Sequence, residues 1–146
     1  MPCCTFFGHR DCPESIKPLL YQAVKELIES GKADTFYVGN HGNFDRMALS
    51  VLRELSRQYP NISYFEVLAY MPRKKSEFDT HDYSRTILPE SVAAAPKKFA
   101  ILRRNDWMLR QCDYVITYVT RNFGGASNFA KKSAKKRKNI IALANI

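Results

Sequence analysis

The stretches VGNHGNFDR at residues 38–46 and TRNFGGAS at residues 120–127 decide the fold of this chain. Each follows an apolar run typical of a β-strand and precedes a helical pattern. Backbone N–H groups at the start of a helix have no partner within the helix and lie at the positive end of its dipole, so a glycine-containing junction of this kind is suited to bind a phosphate. Two such junctions make a nucleotide-like ligand the first hypothesis.

Strand and helix patterns alternate along the sequence. Strands are predicted over residues 2–7, 35–38, 62–70, 112–119 and 139–144, and helices over 14–30, 44–59, 97–111 and 126–138. Strictly alternating strands and helices form a parallel sheet with helices on both faces. We therefore predict an α/β fold, a three-layer, Rossmann-like, doubly wound and mostly parallel sheet of about five strands.

Residues 71–96 interrupt this alternation. Pro72, Pro89 and Pro96 punctuate the segment, charged residues are dense and apolar periodicity is poor. Loops of this length inside a domain are usually functional lids or disordered insertions. We therefore predict a long loop excursion over the mouth of the sheet.

Length and composition suit one globular domain. A chain of 146 residues buries roughly two-thirds of its unfolded surface, so we expect residues 1–146 to form a single domain. No apolar run approaches the roughly 20 residues of a membrane span, and the N-terminus lacks the features of a secretory signal. We expect a cytoplasmic protein with no membrane partner.

The four cysteines match no zinc or iron–sulfur spacing, and no disulfide framework is required. Cys3, Cys4 and Cys112 lie in predicted strands and are interpreted as small apolar side chains in a reducing compartment. Cys12, near the first turn, is the one predicted to be exposed.

The formal net charge is +9, and many of the cations lie in residues 131–138. Clustered Lys and Arg release counterions from a nucleic-acid backbone. However, the run ends a predicted helix, where lysines complement the helix dipole, and it lacks interleaved aromatic residues for base stacking. We favour a solvated helix face and keep single-stranded nucleic-acid binding as an alternative.

Four motifs, taken in order, resemble the SLOG superfamily of Rossmann-like proteins. They are FFGHR at residues 6–10, the GxxGxxDxxA series of Gly39, Gly42, Asp45 and Ala48, the series Arg104, Asn105 and Met108, and GGA at residues 124–126. The superfamily includes Smf/DprA, the Lonely guy phosphoribohydrolases and YpsA-like stand-alone members. The resemblance covers nearly the whole chain and implies binding of a nucleotide or a nucleotide-derived small molecule.

One departure from the family bears on activity. The Lonely guy hydrolases carry a Pro-Gly-Gly-x-Gly-Thr-x-x-Glu motif with a catalytic glutamate, whereas the corresponding stretch here, FGGASNFAK at residues 123–131, has no glutamate. The resemblance therefore does not extend to phosphoribohydrolase chemistry. The basic last helix resembles the Smf/DprA relatives, which bind single-stranded DNA.

The candidate binding residues follow the predicted strands, because doubly wound sheets bind ligands outside the carboxyl ends of their strands. Gly124 and Gly125 expose consecutive N–H groups and form the better phosphate cradle. Arg121 and Ser127 add a charged and a hydroxyl contact. The predicted ligand- and phosphate-binding set is Gly8, His9, Arg10, Gly39, Gly42, Asp45, Arg104, Asn105, Arg121, Gly124, Gly125 and Ser127.

Several members of this set have a structural alternative. Gly39 and Gly42 either let a phosphate approach the backbone or supply a positive φ for a tight turn. Asp45 either accepts ribose hydroxyls, as the resemblance implies, or complements its helix dipole. Arg104 and Asn105 either face the ligand, as the resemblance implies, or form a salt bridge and a cap.

The residues after the first strand have similar alternatives. Arg10 has a planar guanidinium that suits a phosphate, and His9 is placed to donate to the same group. His9 also has the pKa range of an acid or base, although a lone histidine is more often structural. Tyr37 and His41 are candidates for stacking on a base.

No catalytic constellation is recognisable, so we assign no catalytic residue, no metal and no cofactor. Whether the protein is an enzyme stays open. The enzyme alternative is a nucleoside or nucleotide N-glycosidic bond hydrolase or transferase that uses a carboxylate of the excursion. The candidates are Glu77, Asp79, Asp82 and Glu90, which otherwise belong to a surface loop of mixed charge.

We predict that the protein binds a nucleotide or nucleotide-derived small molecule at the carboxyl-terminal rim of the sheet, as a sensor or accessory factor. Phe123, Phe129 and Tyr83 are expected to be exposed and suggest a homo-oligomer that completes the pocket.

Overall fold

The computed structural model describes residues 2–71 and 84–144. The strands are β1 (Cys3–Gly8), β2 (Thr35–Val38), β3 (Ser63–Val67), β4 (Thr86–Ile87), β5 (Tyr114–Tyr118) and β6 (Asn139–Ala142). The helices are α1 (Lys17–Glu29), α2 (Asn43–Gln58), α3 (Glu90–Ala93), α4 (Ala100–Gln111) and α5 (Gly125–Lys135). Short 3-10 turns at Glu14–Ile16 and Lys97–Phe99 lead into α1 and α4.

The six strands form one parallel sheet in the order β4-β3-β2-β1-β5-β6. The chain runs outward from β1 to β4 on one side and then crosses to β5 and β6 on the other. The direction therefore reverses between β1 and β5, which is the switch point of the sheet. The predicted α/β, Rossmann-like, parallel fold is confirmed, with one strand more than the five that the patterns indicated.

Helices cover both faces of the sheet, and β1 shows why. Its side chains alternate, so that Phe6 packs with Phe36 in the core beneath α1 and α2, whereas Phe7 belongs to the core beneath α4 and α5. Phe7 stacks on Phe129 of α5 with ring centroids 5.1 Å apart. Phe129 is therefore buried, and the prediction that it is exposed is wrong.

The prediction of a loop over residues 71–96 is wrong for its second half. There Thr86 and Ile87 pair with Glu66 and Val67 of β3 to form the edge strand β4, and the short helix α3 follows. A two-residue strand is too short to show an apolar period, which explains why the sequence pattern missed it. The remainder of the predicted excursion, residues 72–83, lies outside the described residues.

Two of the cysteine predictions are also wrong. Cys3 and Cys112 are joined in a disulfide across a sequence separation of 109 residues, with their Cα atoms 4.6 Å apart. The parallel pairing of β1 with β5 brings them together, and no spacing rule detects such a pair. Cys12 is buried, not exposed, and its burial raises the pKa of the thiol to about 11.

Within residues 2–71 and 84–144, none of the helices is both long and apolar enough to cross a lipid bilayer.

Candidate functional site

A cleft of about 420 Å³ opens at the carboxyl ends of β1 and β5, at the switch point of the sheet. Ligands of doubly wound folds bind in this position. Four segments line it: the end of β1 with the turn after it, the α2 corner, one face of α4, and the start of α5. The lining residues are Phe6, Phe7, Gly8, His9, Arg10, Asp11, His41, Asp45, Ile101, Arg104, Asn105, Met108, Arg121, Phe123, Gly124, Gly125 and Ala126.

The start of α5 presents free main-chain donors to this cleft. Gly124 is the N-cap residue, with φ at +93°, and no side chain caps the helix. The first hydrogen bond at this end joins the N–H of Asn128 to the carbonyl of Gly124. Among the described residues, the N–H groups of Gly125 and Ala126 therefore have no acceptor, which is the arrangement that binds anions.

Neither backbone conformation nor packing requires a glycine at position 125. A Cβ added there meets no atom within 4 Å, and its φ lies outside the left-handed range. Any small side chain could therefore occupy the position without strain. Glycine gives closer access to the backbone, so the residue type suits the approach of a ligand and not the packing of the protein.

Ser127, in the first turn of α5, holds a second unpaired group. Its hydroxyl is fully buried and has no hydrogen-bond partner within the described part of the chain. Buried hydroxyls without a partner are rare because desolvation is costly. Ser127 does not line the cleft, so it lies behind the helix corner that the sequence predicted.

The α2 corner, which the sequence predicted as the weaker of the two phosphate sites, is occupied by the protein itself. The N–H of Asn43 donates to the carbonyl of Arg10 at 2.8 Å. Gly42 has φ at +90°, and a Cβ there would lie 2.6 Å from the Cα of Arg10. The Oδ2 atom of Asp45 accepts the N–H of His41 at 3.0 Å. A carboxylate thus already occupies the electropositive corner, and Gly39 and Gly42 serve close packing.

The carboxyl group of Asp45 is buried beneath the cleft. Burial raises its pKa to about 6, and the opposing attraction of Arg104 offsets this in part. Gly39 lies directly against it, because a Cβ at this position would be 2.7 Å from Oδ2 of Asp45 and 2.8 Å from Cζ of Arg104. The carboxyl group therefore keeps its proton to a higher pH than an ordinary aspartate does, a perturbation that is common in sites that exchange protons.

Arg104 ties α4 to the ends of β2 and β3. Its Nη1 atom donates to Oδ1 of Asn40 at 2.9 Å and to the carbonyl of Val67 at 3.2 Å, and its Nε atom donates to Oδ1 of Asn105 at 2.9 Å. Nη2 has no partner among the described residues. The side chain is therefore mainly a positioning group, with one nitrogen left for a ligand.

His41 is neutral and has one assignable tautomer. Burial together with the positive charges of Arg104 and Arg10 lowers its pKa to about 4. Nδ1 lies 3.3 Å from Nη1 of Arg104, whose two hydrogens it shares with the oxygens of Asn40 and Val67. A proton on Nδ1 would face this donor, so Nδ1 is the unprotonated nitrogen. Nε2 then carries the proton and donates to the hydroxyl of Tyr70 at 3.2 Å.

His9 fastens the α5 corner to β1. Its Nε2 atom accepts the N–H of Thr120 at 2.9 Å, so the ring proton is on Nδ1. Burial, and secondly the charge of Arg121, lowers its pKa, which keeps the ring neutral. The contact favours a role in positioning the turn over a role as acid or base.

Arginine side chains frame the opening of the cleft. Arg121 forms a two-point ion pair with Asp11, with N–O distances of 2.9 and 3.0 Å. Its guanidinium also lies 5.8 Å from the ring centre of Phe123, which is 66% exposed. Arg10 is exposed and forms no ion pair with any described residue. Arg10 is therefore the cation most available to an anionic ligand.

The structure brings together nine of the twelve predicted residues as cleft lining and leaves out Gly39, Gly42 and Ser127. Ile101 and Met108 of α4, which share a helix face with Arg104, form an apolar wall of the cleft. Sequence reasoning named Met108 in a family motif without giving it a role in the site, and it missed Ile101. Their spacing of three and four residues is the signal that could have identified them. Tyr37 does not line the cleft and packs against Trp107 instead.

Glu90, the one described member of the four predicted acidic candidates, lies on α3 and is not part of the cleft. Glu77, Asp79 and Asp82, and also Tyr83, lie outside the described residues. No group of three His, Cys, Asp or Glu side chains with the spacing of a metal site occurs in residues 2–71 and 84–144.

Comparison with solved structures identifies proteins of the same fold. DNA processing protein A (DprA) from Streptococcus pneumoniae matches with a TM-score of 0.68 and 15% identity, over 97% of this chain and 50% of that one. The molybdenum cofactor carrier protein MCP from Chlamydomonas reinhardtii matches with a TM-score of 0.61 and 14% identity, over 97% and 76%. No family model and no curated protein matches the sequence.

The chain spans half the length of the DprA chain that it matches. At these identities the likeness shows a shared fold and no more. The chain thus shares its fold with DprA and with the molybdenum cofactor carrier protein.

Proposed function

We propose that this protein binds a nucleotide or a nucleotide-derived small molecule in the cleft at the switch point, as a sensor or accessory factor. The observation that carries the proposal is the open corner of α5, where the N–H groups of Gly125 and Ala126 have no acceptor among the described residues and Gly125 has no structural reason to be glycine. A phosphate group accepts hydrogen bonds from such a corner and is attracted by the dipole of α5.

The charges around the cleft support one orientation of the ligand. Arg10 has no ion-pair partner among the described residues and can approach a phosphate bound at α5. Asp45, at the closed α2 corner, repels a phosphate but accepts hydrogen bonds from sugar hydroxyls. We therefore expect the phosphate at the α5 corner and the sugar toward Asp45.

The test is a thermal-shift screen with nucleoside mono-, di- and triphosphates, cyclic nucleotides, NAD and ADP-ribose. A ligand at about 100 times its Kd stabilises the native state by about 2.7 kcal/mol, which is readily measured. Gly125→Ala should lose this protection while the unliganded melting temperature stays within a few degrees of wild type. Equal protection of the wild type and the variant would show that the phosphate is bound elsewhere.

An N-glycosidic bond hydrolase or transferase is the second candidate, and the observation that favours it is the Asp45 carboxyl group. Its raised pKa of about 6 suits a proton-exchanging group in a cleft that we propose to hold the sugar. Chromatographic detection of free base from nucleosides and nucleoside monophosphates tests it. Release by the wild type that is absent in Asp45→Asn supports an enzyme, and no release by the wild type leaves the binding function alone.

Single-stranded nucleic-acid binding is the third candidate. It is favoured by the net charge of +9 and by the structural similarity to DprA, a DNA processing protein. Binding to oligo-dT should then weaken with salt, with a slope of about −0.7 for each phosphate that is neutralised. Binding that does not change with salt would rule out this candidate. A homo-oligomer and a cytoplasmic location stay predictions.

A further inference from the structure

The strand β6 leaves one edge of the sheet open among the described residues. It pairs with β5 on one side, and no described strand pairs with its other side. The N–H groups of Asn139 and Leu143 donate toward β5. The alternation of a parallel ladder therefore turns the N–H and C=O groups of Ile140 and Ala142 outward.

This edge is short, with four residues, and it carries no charged side chain and no proline within the strand. Natural edge strands are commonly blunted by a charged side chain, a proline or a bulge within the strand. Asn139–Ala142 contains neither charge nor proline, and Ile140 is 38% exposed. An uncharged edge with outward main-chain groups is able to accept another strand.

The two faces beside this edge differ in chemistry. On the α1 side, Ile141 of β6 and Ala23 and Leu27 of α1 line a groove of about 570 Å³. Glu26 and Glu29 of α1 and Lys32 after it also line the groove, so its border carries two acidic groups and one basic group. The floor of the groove is therefore apolar, and its border has a small excess of negative charge that disfavours acidic side chains.

On the other face, α5 and the turn after it present a group of cations that we call the α5 cluster. Asp106 of α4 forms an ion pair with Lys132, a member of this cluster. The α5 cluster consists of Lys131, Lys132, Lys135, Lys136, Arg137 and Lys138. Lys131 donates to the carbonyl of Asn122. Because the turn after α5 leads directly into β6, the remaining cations, from Lys135 to Lys138, are the ones next to the open edge.

We propose that β6 docks an extended peptide segment in which acidic and apolar side chains alternate, added to the sheet as a further strand. Successive side chains of a strand point to opposite faces, so the acidic ones meet the α5 cluster while the apolar ones enter the groove beside α1. Outward main-chain groups of Ile140 and Ala142 supply the hydrogen bonds. This proposal does not depend on the ligand of the cleft.

Charge selects this occupant over a second copy of the chain. Two β6 edges paired about a twofold axis would bring two α5 clusters together, and like charges across an interface are unfavourable. A nucleic acid would use the cations but not the outward peptide groups or the apolar groove. An acidic, alternating peptide satisfies all three features.

The probe is a capped seven-residue peptide of alternating Glu and Val, and binding to the full chain is measured by calorimetry. Ile140→Pro removes an outward N–H group without removing a hydrogen bond to β5, and Ile140→Thr is the matched variant that keeps it. We expect Ile140→Pro to bind the peptide about two- to tenfold more weakly than Ile140→Thr. Circular dichroism and melting curves establish that both variants are folded.

Four further comparisons do not depend on the folding of the proline variant; three test the charge and one tests the main-chain hydrogen bonds. The double variant Lys135→Glu with Lys136→Glu should weaken binding, whereas Arg57→Glu on the distant helix α2 should not. The wild type should discriminate against a peptide of alternating Lys and Val, and also against the Glu–Val peptide with N-methylated main-chain amides. Higher salt should weaken the binding of the Glu–Val peptide.

Several results would overturn the proposal. They are equal affinity of Ile140→Pro and Ile140→Thr, equal affinity for the lysine peptide, and undiminished affinity for the N-methylated peptide. Sedimentation that shows a dimer dissolved by Ile140→Pro would assign the edge to a second copy. Oligo-dT binding that is lost in the double lysine variant, with no peptide binding, would assign the α5 cluster to nucleic acid.

Discussion

Asp45 and His41 are neighbouring ionisable residues whose pKa values move in opposite directions. Asp45 has a raised pKa of about 6, so the folded protein keeps this proton to a higher pH than the unfolded chain does. The free energy of unfolding therefore falls as pH rises from about 4 to about 6. His41 has a lowered pKa of about 4, so its contribution rises with pH between about 4 and about 6.5.

We predict that single variants separate these two opposing effects. In Asp45→Asn, the free energy of unfolding should rise with pH because His41 titrates unopposed, whereas in His41→Gln it should fall. A shift of two pKa units corresponds to about 3 kcal/mol for the buried Asp45, and half-buried His41 should contribute less because solvent screens it. Urea titrations across this pH range measure the slopes, and parallel profiles of the two variants would contradict the assignment.

Ser127 permits a second prediction at this scale. Its buried hydroxyl has no partner among the described residues, so Ser127→Ala removes a desolvation penalty and should stabilise the unliganded protein by about 1 kcal/mol. Ser133, whose buried hydroxyl donates to the carbonyl of Phe129 at 2.6 Å, is the matched control. Ser133→Ala should destabilise the protein, and chemical denaturation of both variants compares them. A destabilised Ser127→Ala would indicate a partner that the described residues do not include.

At the scale of secondary-structure elements, two helix N-termini with similar sequences have different environments. The α5 corner is open, whereas the α2 corner is packed against Arg10 and filled by Asp45. Both follow a strand and begin with glycine, so the sequence could predict both turns. It could not predict which one is closed, because that depends on how the turn after β1 packs on α2.

The third prediction compares glycines at the two corners. Gly39→Ala should destabilise the protein by about 1–3 kcal/mol, because its Cβ would clash with Asp45 and Arg104. Gly125→Ala should leave stability unchanged or raise it by about 0.4–1 kcal/mol, because the space is open and the unfolded chain loses entropy. Thermal and urea unfolding without ligand measure both. A strongly destabilised Gly125→Ala would mean that the glycine is structural.

The longer helices and strands could be predicted from the sequence, whereas the shortest strand could not. The apolar periods of α1 and α2 and the runs of β1 and β5 are long enough to identify, and their positions are confirmed within a few residues. The two-residue strand β4 has no period to detect. The disulfide of Cys3 with Cys112 depends on the pairing of β1 with β5, which the order of elements along the chain does not fix.

At the scale of the whole molecule, excess positive charge is concentrated at one end of α5. Lys131 with Lys135 and Lys132 with Lys136 are like-charged pairs four residues apart, which lie next to each other on a helix. Asp106 offsets Lys132 only. Much of the net positive charge therefore acts locally, as repulsion between lysines on the surface of α5.

The fourth prediction follows from this concentration. Screening by salt should raise the melting temperature of the wild type. Lys135→Gln with Lys136→Gln should stabilise the protein at low salt by a few tenths of a kcal/mol, because relief of the two like-charged pairs is offset in part by the loss of two cations that complement the dipole of α5. The gain should shrink as salt increases. Calorimetry at several ionic strengths measures this, with Arg53→Gln on α2 as the control. Equal gains at low and high salt would indicate helix propensity and not charge as the cause.

The cleft also belongs to this scale, because it forms only when distant segments meet. The sequence could predict that turns after parallel strands gather at one rim, and nine of the predicted residues do lie there. It could not predict the hydrogen bonds that make His9 and Arg104 mainly positioning groups, because their partners Thr120 and Val67 are remote in sequence.

The built-in carboxylate of Asp45 at the α2 corner makes the cleft directional. In the proposed binding mode, a molecule with a phosphate at each end would bind one phosphate at the α5 corner, and its other phosphate would stay in solvent. The two equivalent halves of a symmetric ligand would thus have different surroundings in the complex.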